Sequence, residues 1–230
     1  LTSAFIAQKN QKEAESARRR FIFDDFFYPQ LGLLFQRHEL VNMYTKNNSL
    51  AENSIGLKAG SLDVDKWSPL TLIVLRSLPF TLTSSQLKAA SEIIWDLRRP
   101  MPMNRLLQGD VGCGKTVVAL LAALEVIDSG YQAAFMVPTE LLAVQHYKNI
   151  IQMLERIDAD ERPSVALLTG STPLKKACSI RQGLETGHIS LIVGTHSLIA
   201  ESVKFAALCF AVIDEQHRFG VAQRGKFSSK

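Results

Sequence analysis

A glycine-rich segment of eight residues constrains the fold of this chain more than any other feature. It runs Gly109-Asp110-Val111-Gly112-Cys113-Gly114-Lys115-Thr116 and matches the pattern G-x-x-x-x-G-K-[ST]. A short apolar run precedes it and a helical pattern follows, so we predict that this P-loop joins a strand to a helix. Glycine lets such a loop curl until successive backbone N–H groups point at phosphate oxygens, and the helix N-terminus adds partial positive charge. A glycine-rich turn with a lysine facing solvent is the alternative.

The final two residues of the P-loop carry the most specific chemistry. In this pattern the lysine, here Lys115, reaches the β- and γ-phosphates of ATP. The hydroxyl of Thr116 is then expected to bind Mg²⁺. ATP and Mg²⁺ are therefore the cofactors that the segment predicts.

An apolar run downstream of the P-loop ends in two acidic residues. Cys209–Ile213 is followed by Asp214 and Glu215. We expect Asp214 to bind Mg²⁺, which keeps much of its hydration shell, and Glu215 to polarise the attacking water as a general base. An acidic helix cap after a buried strand is the simpler alternative, although it does not account for the preceding P-loop.

The segment before the P-loop predicts a helix start and a nucleotide contact. Thr83 and Gln86 have the spacing of a capping box, in which a hydroxyl and an amide satisfy unpaired backbone N–H groups. The aromatic ring of Phe80 has two interpretations, stacking on a base or packing in the core.

Two further loops follow predicted strands and open predicted helices. The first contains Pro138 and Thr139, with Gln145 and His146 further along, and the second contains the run Thr195-His196-Ser197. Hydroxyl groups and backbone N–H groups at helix N-termini suit DNA phosphates, so we assign Thr139, Gln145, Thr195, His196 and Ser197 as candidate DNA contacts. Each loop by itself is also consistent with an ordinary strand-to-helix turn. The Gly170-Ser171 turn is a weaker third candidate.

The order of elements after Ser68 predicts an α/β fold. Helix signals cover 83–97, 116–129, 140–154 and 173–185. The short apolar runs between them, expected to be strands buried on both faces, are 105–108, 133–137, 165–168, 190–193 and 209–213. Alternation of this kind predicts a central parallel sheet flanked by helices.

Residues 1–69 differ in character from the rest. Residues 13–44 have a helical pattern with apolar phenylalanines on one side, and residues 47–68 lose all periodicity. We therefore predict a helical connector and linker over 1–69 and a second domain over 70–230. The run Arg18–Arg20 has two interpretations, a solvated helix face or a phosphate contact.

Composition excludes some functional classes. The net charge of +4 permits a polyanionic partner without requiring one. The longest apolar run, Val117–Leu124, is too short to cross a bilayer, so we expect no membrane partner. Three widely spaced cysteines fit neither a metal cluster nor a disulfide framework, which favours a reducing compartment. Of these, Cys113 is expected to be the most reactive, since Cys209 belongs to a predicted buried strand and Cys178 to a predicted helix.

Taken together, these motifs resemble those of the RecG family of superfamily 2 DNA helicases. The run Asp214-Glu215-Gln216-His217, a DEQH box, is the most discriminating, and it is joined by Gly109–Thr116, Pro138–Ala143 and Val193–His196. Residues Arg20–Leu31 are similar to the helical connector that enters the family's motor. Transcription-repair coupling factor and PriA are related translocases that usually have glutamate where this chain has Gln216. A self-contained P-loop NTPase is the alternative outside the helicases.

The resemblance implies a RecA-like P-loop NTPase domain that acts as the first motor domain of an ATP-dependent helicase remodelling branched DNA. It also implies that Gln86 contacts adenine, with Phe80 stacking nearby, and that Gln216 or His217 senses the nucleotide. A DNA-splitting wedge domain is expected before Leu1, and a second RecA-like domain with arginine fingers after Lys230. Cys113 and residues 223–227 are similar to plant-organelle versions, which would place the protein in a plastid or mitochondrial nucleoid. A bacterial cytoplasm is the alternative.

Overall fold

The computed structural model of this chain describes residues 64–99 and 103–215. Apart from Arg99 and Met103, these residues belong to one compact unit. Nearly all of the predicted connector and linker lies outside the described residues, and so do Gln216 and His217. The domain boundary near residue 70 therefore stays a prediction.

From Lys115 to Gly194, helices and strands alternate along this unit, as the sequence predicts. The α-helices of the described residues are Pro69–Ser77 (α1), Ser84–Leu97 (α2), Lys115–Asp128 (α3), Glu140–Leu154 (α4) and Leu174–Glu185 (α5). The strands are Gln132–Met136 (β1), Val165–Leu168 (β2), Leu191–Gly194 (β3) and Leu208–Ile213 (β4). Short 3-10 turns at Val64–Lys66, Ala159–Glu161 and His196–Ile199 lie in the connections. None of these helices is long and apolar enough to cross a membrane.

The four strands form one parallel sheet in the order β2-β3-β1-β4. Ala134 and Met136 of β1 and Ile192 of β3 pack on one face in a cluster with the buried side chains of α5. Helices α3 and α4 contact the sheet through residues outside this cluster. The predicted α/β architecture, a parallel sheet with flanking helices, is confirmed.

The predicted strand over 105–108 is wrong. Met103–Asp110 forms no regular element, because no described strand pairs with it. Instead, the guanidinium of Arg105 donates hydrogen bonds to Asp96 and Glu92 on α2, at 2.7 and 2.6 Å, and ties the segment to that helix. A strand requires a partner ladder as well as apolar residues, and the partner is not encoded locally.

The prediction that every strand is buried on both faces holds only for the centre of the sheet. Strands β1 and β3 are fully buried, whereas much of β2 and β4 is partly exposed because each lies at an edge of the sheet that the described residues form. Cys209 on β4 is consequently exposed, contrary to the expectation of a buried strand, and Cys178 on α5 is exposed as well. Neighbouring atoms still desolvate the Cys209 thiol enough to raise its pKa.

Candidate functional site

The P-loop has the curled backbone that its glycines predict. Gly112 and Gly114 have φ angles of 80° and 83°, a left-handed backbone conformation that residues other than glycine rarely adopt. Gly114 is the N-cap of α3, and Lys115 is the first residue of that helix. The Lys115 ammonium donates hydrogen bonds to the carbonyl oxygens of Gly109 and Asp110, at 2.8 and 2.9 Å. The lysine thus lies across the loop, where an anion would replace these carbonyls as its partner.

Two glycines of the P-loop also lie close to neighbouring side chains. A Cβ atom on Gly109 would lie 2.5 Å from the Sγ atom of Cys113. A Cβ atom on Gly114 would collide with the side-chain amide of Gln86. The loop is therefore packed tightly on both sides, and a methyl group at either position would displace a side chain or the backbone.

Gln86 connects the start of α2 to the P-loop. Its Oε1 atom accepts from the N–H of Thr83 at 2.8 Å, and its N–H donates to the Thr83 hydroxyl at 3.2 Å, so the predicted capping box is present. Its Nε2 atom donates to the carbonyl oxygen of Cys113 at 2.8 Å. An adenine contact by Gln86 would have to compete with these two amide interactions.

Phe80 is 49% exposed, which removes core packing as the explanation for this ring. It lies in the connection between α1 and α2, shortly before Gln86. The ring is accessible to a stacking partner, and the stacking role stays a prediction.

The two predicted Mg²⁺ ligands are joined by a histidine. His146 Nδ1 lies 3.4 Å from the hydroxyl oxygen of Thr116 on α3, and His146 Nε2 lies 3.2 Å from Oδ2 of Asp214 at the end of β4. The tertiary structure therefore brings Thr116 and Asp214 against the two ring nitrogens of one imidazole. The hydrogen bond with His146 is the largest cause of a lowered Asp214 pKa, and the positive charge of Lys115 lowers this pKa to a smaller extent. Asp214 is accordingly held as a carboxylate.

The donor atoms at this position suit Mg²⁺. A carboxylate and a hydroxyl are hard oxygen ligands, and Mg²⁺ is usually bound by one or two carboxylates together with water and substrate phosphates. The described residues contain no group of three or more histidine, cysteine, aspartate or glutamate side chains arranged around a common point. Thr116 and Asp214 are the side chains that would hold the ion, and this assignment stays a prediction.

Glu215 follows Asp214 at the carboxyl end of the sheet. The backbone N–H of Asp214 donates to the Met136 carbonyl at 2.9 Å, which extends the pairing of β4 with β1. Glu215 is exposed and has a φ angle of 51°, and its N–H donates to Oδ1 of Asp214 at 3.0 Å. Glu215 therefore lies in a tight turn directly after β4, and its role as a general base stays a prediction.

The candidate DNA loops are linked by a glutamate that the sequence analysis did not single out. Glu140, the first residue of α4, accepts from the N–H and the hydroxyl of Ser171 at 2.9 and 2.5 Å. The bond from the Ser171 hydroxyl is the main cause of a lowered Glu140 pKa, and His196 adds an electrostatic contribution. The first candidate loop is thus fastened to the Gly170-Ser171 turn.

The candidate DNA contacts differ in accessibility. Thr139, Gln145 and His196 are exposed, and Ser197 is half-buried with its hydroxyl donating to the Leu168 carbonyl. Thr195 is only 1% exposed, so its side chain does not lie at the surface. Thr139 caps α4 by accepting from the N–H of Leu142 at 3.3 Å.

With this geometry in place, the sequence pattern of the DEAD/DEAH box helicases matches residues 83–229. The chain belongs to the DEAD/DEAH box helicase family. Among its relatives, it is similar to the ATP-dependent DNA helicase homolog RECG1, chloroplastic/mitochondrial, of Arabidopsis thaliana, with 56% identity over all of this chain and 24% of the relative. It is 46% identical to the ATP-dependent DNA helicase RecG of Synechocystis sp., over 96% of this chain and 24% of that protein. The chain thus spans about a quarter of the length of these relatives.

Solved structures agree with this relationship. The structure of RecG bound to a three-way DNA junction is 48% identical to this chain with a TM-score of 0.60, covering 66% of this chain and 20% of that one. The DEAD-box helicase Mss116 bound to ssRNA and UDP-BeF is 17% identical with a TM-score of 0.59, covering 76% of this chain and 37% of that one. The second similarity concerns the fold alone. The predicted RecA-like helicase fold and the resemblance to RecG are both confirmed.

Proposed function

We propose that this chain is the ATP-binding motor domain of a DNA helicase that remodels branched DNA. One observation carries the nucleotide assignment: the P-loop lysine, the Thr116 hydroxyl and the Asp214 carboxylate lie in one connected site, although Asp214 is distant in sequence. A solvent-facing lysine in an accidental turn would have no reason to lie near a strand-end carboxylate.

Each residue has a distinct role in the proposed reaction. Backbone N–H groups of residues 109–114 and the α3 N-terminus cradle the phosphates, and Lys115 binds the β- and γ-phosphates. Thr116 and Asp214 hold Mg²⁺, which supplies neutralising charge to the phosphate oxygens. Glu215 orients the attacking water and accepts its proton. Gln86 and Phe80 are assigned to the adenine base.

The proposed DNA contacts use phosphates rather than bases. Thr139, Gln145, His196 and Ser197 offer a hydroxyl, an amide or an imidazole near helix starts, and Glu140 holds two of the loops together. These groups are suited to the DNA backbone, which carries no sequence information. Thr195 is assigned a supporting role in its loop, since its side chain is buried.

The preference for branched DNA is inferred from a relative. RecG, in the structure named above, is bound to a three-way DNA junction. We infer that a second motor domain and a wedge domain complete the working enzyme, as the family resemblance implies. A plastid or mitochondrial location is favoured by the name of the Arabidopsis relative, and relatives named RecG also occur in bacteria.

The nucleotide assignment is tested by replacing Lys115. Lys115→Ala removes charge-assisted contacts, each worth about 1.5–3 kcal/mol, so Mg²⁺-ATP affinity should fall at least tenfold in calorimetric titration. Lys148→Ala is the matched control, because Lys148 is an exposed lysine on α4. Unchanged affinity in a folded Lys115→Ala variant would exclude the P-loop role. Rapid hydrolysis without DNA or any further domain would instead favour a self-contained NTPase.

A further inference from the structure

His146 is a half-buried side chain for which the proposed reaction has no role so far. It lies on α4, and it shares one face of that helix with Ala143 and Ile150, which are three residues before it and four residues after it. Both neighbours are completely buried. The imidazole therefore lies on the buried face of the helix, and only 16% of it is exposed.

The two ring nitrogens of His146 face two different groups. Nδ1 faces the Thr116 hydroxyl at 3.4 Å, and Nε2 faces the Asp214 carboxylate at 3.2 Å. A carboxylate only accepts, so Nε2 carries the proton toward Asp214, and in the neutral ring Nδ1 accepts from the hydroxyl. A hydroxyl that donates its proton to Nδ1 leaves its oxygen lone pairs available to a cation.

We infer that His146 is a positioning residue that orients the Thr116 hydroxyl and the Asp214 carboxylate for Mg²⁺. The inference rests on the proposed function, because it takes these two oxygens as the metal ligands. The Nε2 contact, at 3.2 Å, lies at the upper end of the ordinary hydrogen-bond range, and the Nδ1 contact, at 3.4 Å, is slightly longer. Residues that orient metal ligands in this way typically change metal affinity by about 10- to 100-fold when they are replaced.

Three substitutions of His146 distinguish its contact with Thr116 from its contact with Asp214. His146→Ala removes both contacts. His146→Asn keeps a polar group near the position of Nδ1, and His146→Gln keeps one near the position of Nε2. Asn149→Ala is the matched control, since Asn149 is exposed on the same helix and contributes to neither contact.

The measurement is the Mg²⁺ concentration that half-maximally enhances binding of a fluorescent ATP analogue to the full chain. His146→Ala should raise this concentration about tenfold, while binding of the analogue in EDTA stays unchanged. The asparagine and glutamine variants should each recover part of the loss, and they keep the test valid if the alanine variant does not fold. In an Asp214→Asn background, His146→Ala should have a smaller effect, because the two residues act together.

Three outcomes would contradict the positioning role or the metal assignment. Unchanged Mg²⁺ dependence in all three folded variants would overturn the positioning role while leaving the nucleotide site intact. An equal loss of binding with and without Mg²⁺ would also overturn it, since that pattern indicates a general packing defect. If the unmodified chain bound the analogue equally well with and without Mg²⁺, the metal assignment itself would fail, independently of His146.

Discussion

The side-chain amide of Gln86 donates a hydrogen bond of 2.8 Å to the carbonyl oxygen of Cys113. This bond joins the first turn of α2 to the centre of the P-loop. The same glutamine completes the capping box with Thr83, so a single side chain starts a helix and supports the phosphate cradle. Its assigned adenine contact would therefore be coupled directly to the conformation of the P-loop.

The first prediction follows from this bond. Gln86→Ala should weaken binding of ATP and also of inorganic triphosphate, because it removes a P-loop support as well as a base contact. The lost hydrogen bond is worth about 0.5–1.5 kcal/mol, which corresponds to a reduction in affinity of about two- to tenfold. Competition titrations against a fluorescent nucleotide measure both ligands.

Thr83→Ala is the control for helix capping. It removes the hydroxyl that accepts from Gln86 but leaves the Gln86–Cys113 bond in place. It should lower stability by about 0.5–2 kcal/mol with little effect on triphosphate affinity. If Gln86→Ala weakened ATP binding but not triphosphate binding, the support role would be refuted and adenine recognition alone would remain.

The second prediction concerns a buried ion pair. Glu125 on α3 is 5% exposed and accepts from the Arg98 guanidinium, from the Ser68 N–H at 2.9 Å and from the Thr71 hydroxyl at 3.3 Å. Arg98→Ala leaves this carboxylate without its cation and should lower the free energy of unfolding by about 3 kcal/mol. This value is at the lower end of the range for a buried ion pair, because the Arg98 side chain is 31% exposed. Urea unfolding measures the change, with the exposed Arg156→Ala as control. A loss comparable to that of the control would mean that the pair contributes little.

The third prediction concerns cysteine chemistry. Cys113 lies exposed within the P-loop with its Sγ atom 4.0 Å from the Lys115 ammonium, and we expect it to be the most reactive thiol of the chain. Limited alkylation followed by mass spectrometry should label it first, and saturating Mg²⁺-ATP should protect it. Cys178 provides an internal control, since it is exposed on α5, away from the P-loop in sequence. Labelling of Cys113 that nucleotide does not change would contradict the prediction.

The fourth prediction concerns DNA. Contacts through Thr139, Gln145, His196 and Ser197 should produce weak binding that does not depend on base sequence and declines steeply with salt. Fluorescence anisotropy with two duplexes of unrelated sequence, over a series of salt concentrations, measures this. A strong preference for one duplex, or affinity insensitive to salt, would exclude a phosphate-based interface.

Local features of the structure were predictable from the sequence. The glycines at 112 and 114 determine the backbone of the P-loop, and Thr83 and Gln86 determine a helix start, because each effect involves residues only a few positions apart. Helix α4 has the predicted bounds, Glu140–Leu154, for the same reason: its cap and its periodicity are local.

Helix α1 was not predicted separately, although its signals were present. Ser68 caps it by accepting from the Thr71 N–H, and Pro69 is its first residue. The helix lies at the predicted domain boundary, and its helical pattern is only nine residues long and directly follows an irregular stretch. Its position depends on Glu125, which lies more than 50 residues away in sequence and accepts hydrogen bonds from Ser68 and Thr71.

The amino-acid sequence by itself determined the P-loop, the acidic end of β4 and the alternation of helices and strands, because these depend on the conformational preferences of neighbouring residues. Only the tertiary structure decided which of the described strands lie at the sheet edges and that 105–108 has no partner among them. It also placed His146 between Thr116, 30 positions before it, and Asp214, 68 positions after it. Such contacts depend on how the helices pack on the sheet, and no local pattern encodes that packing.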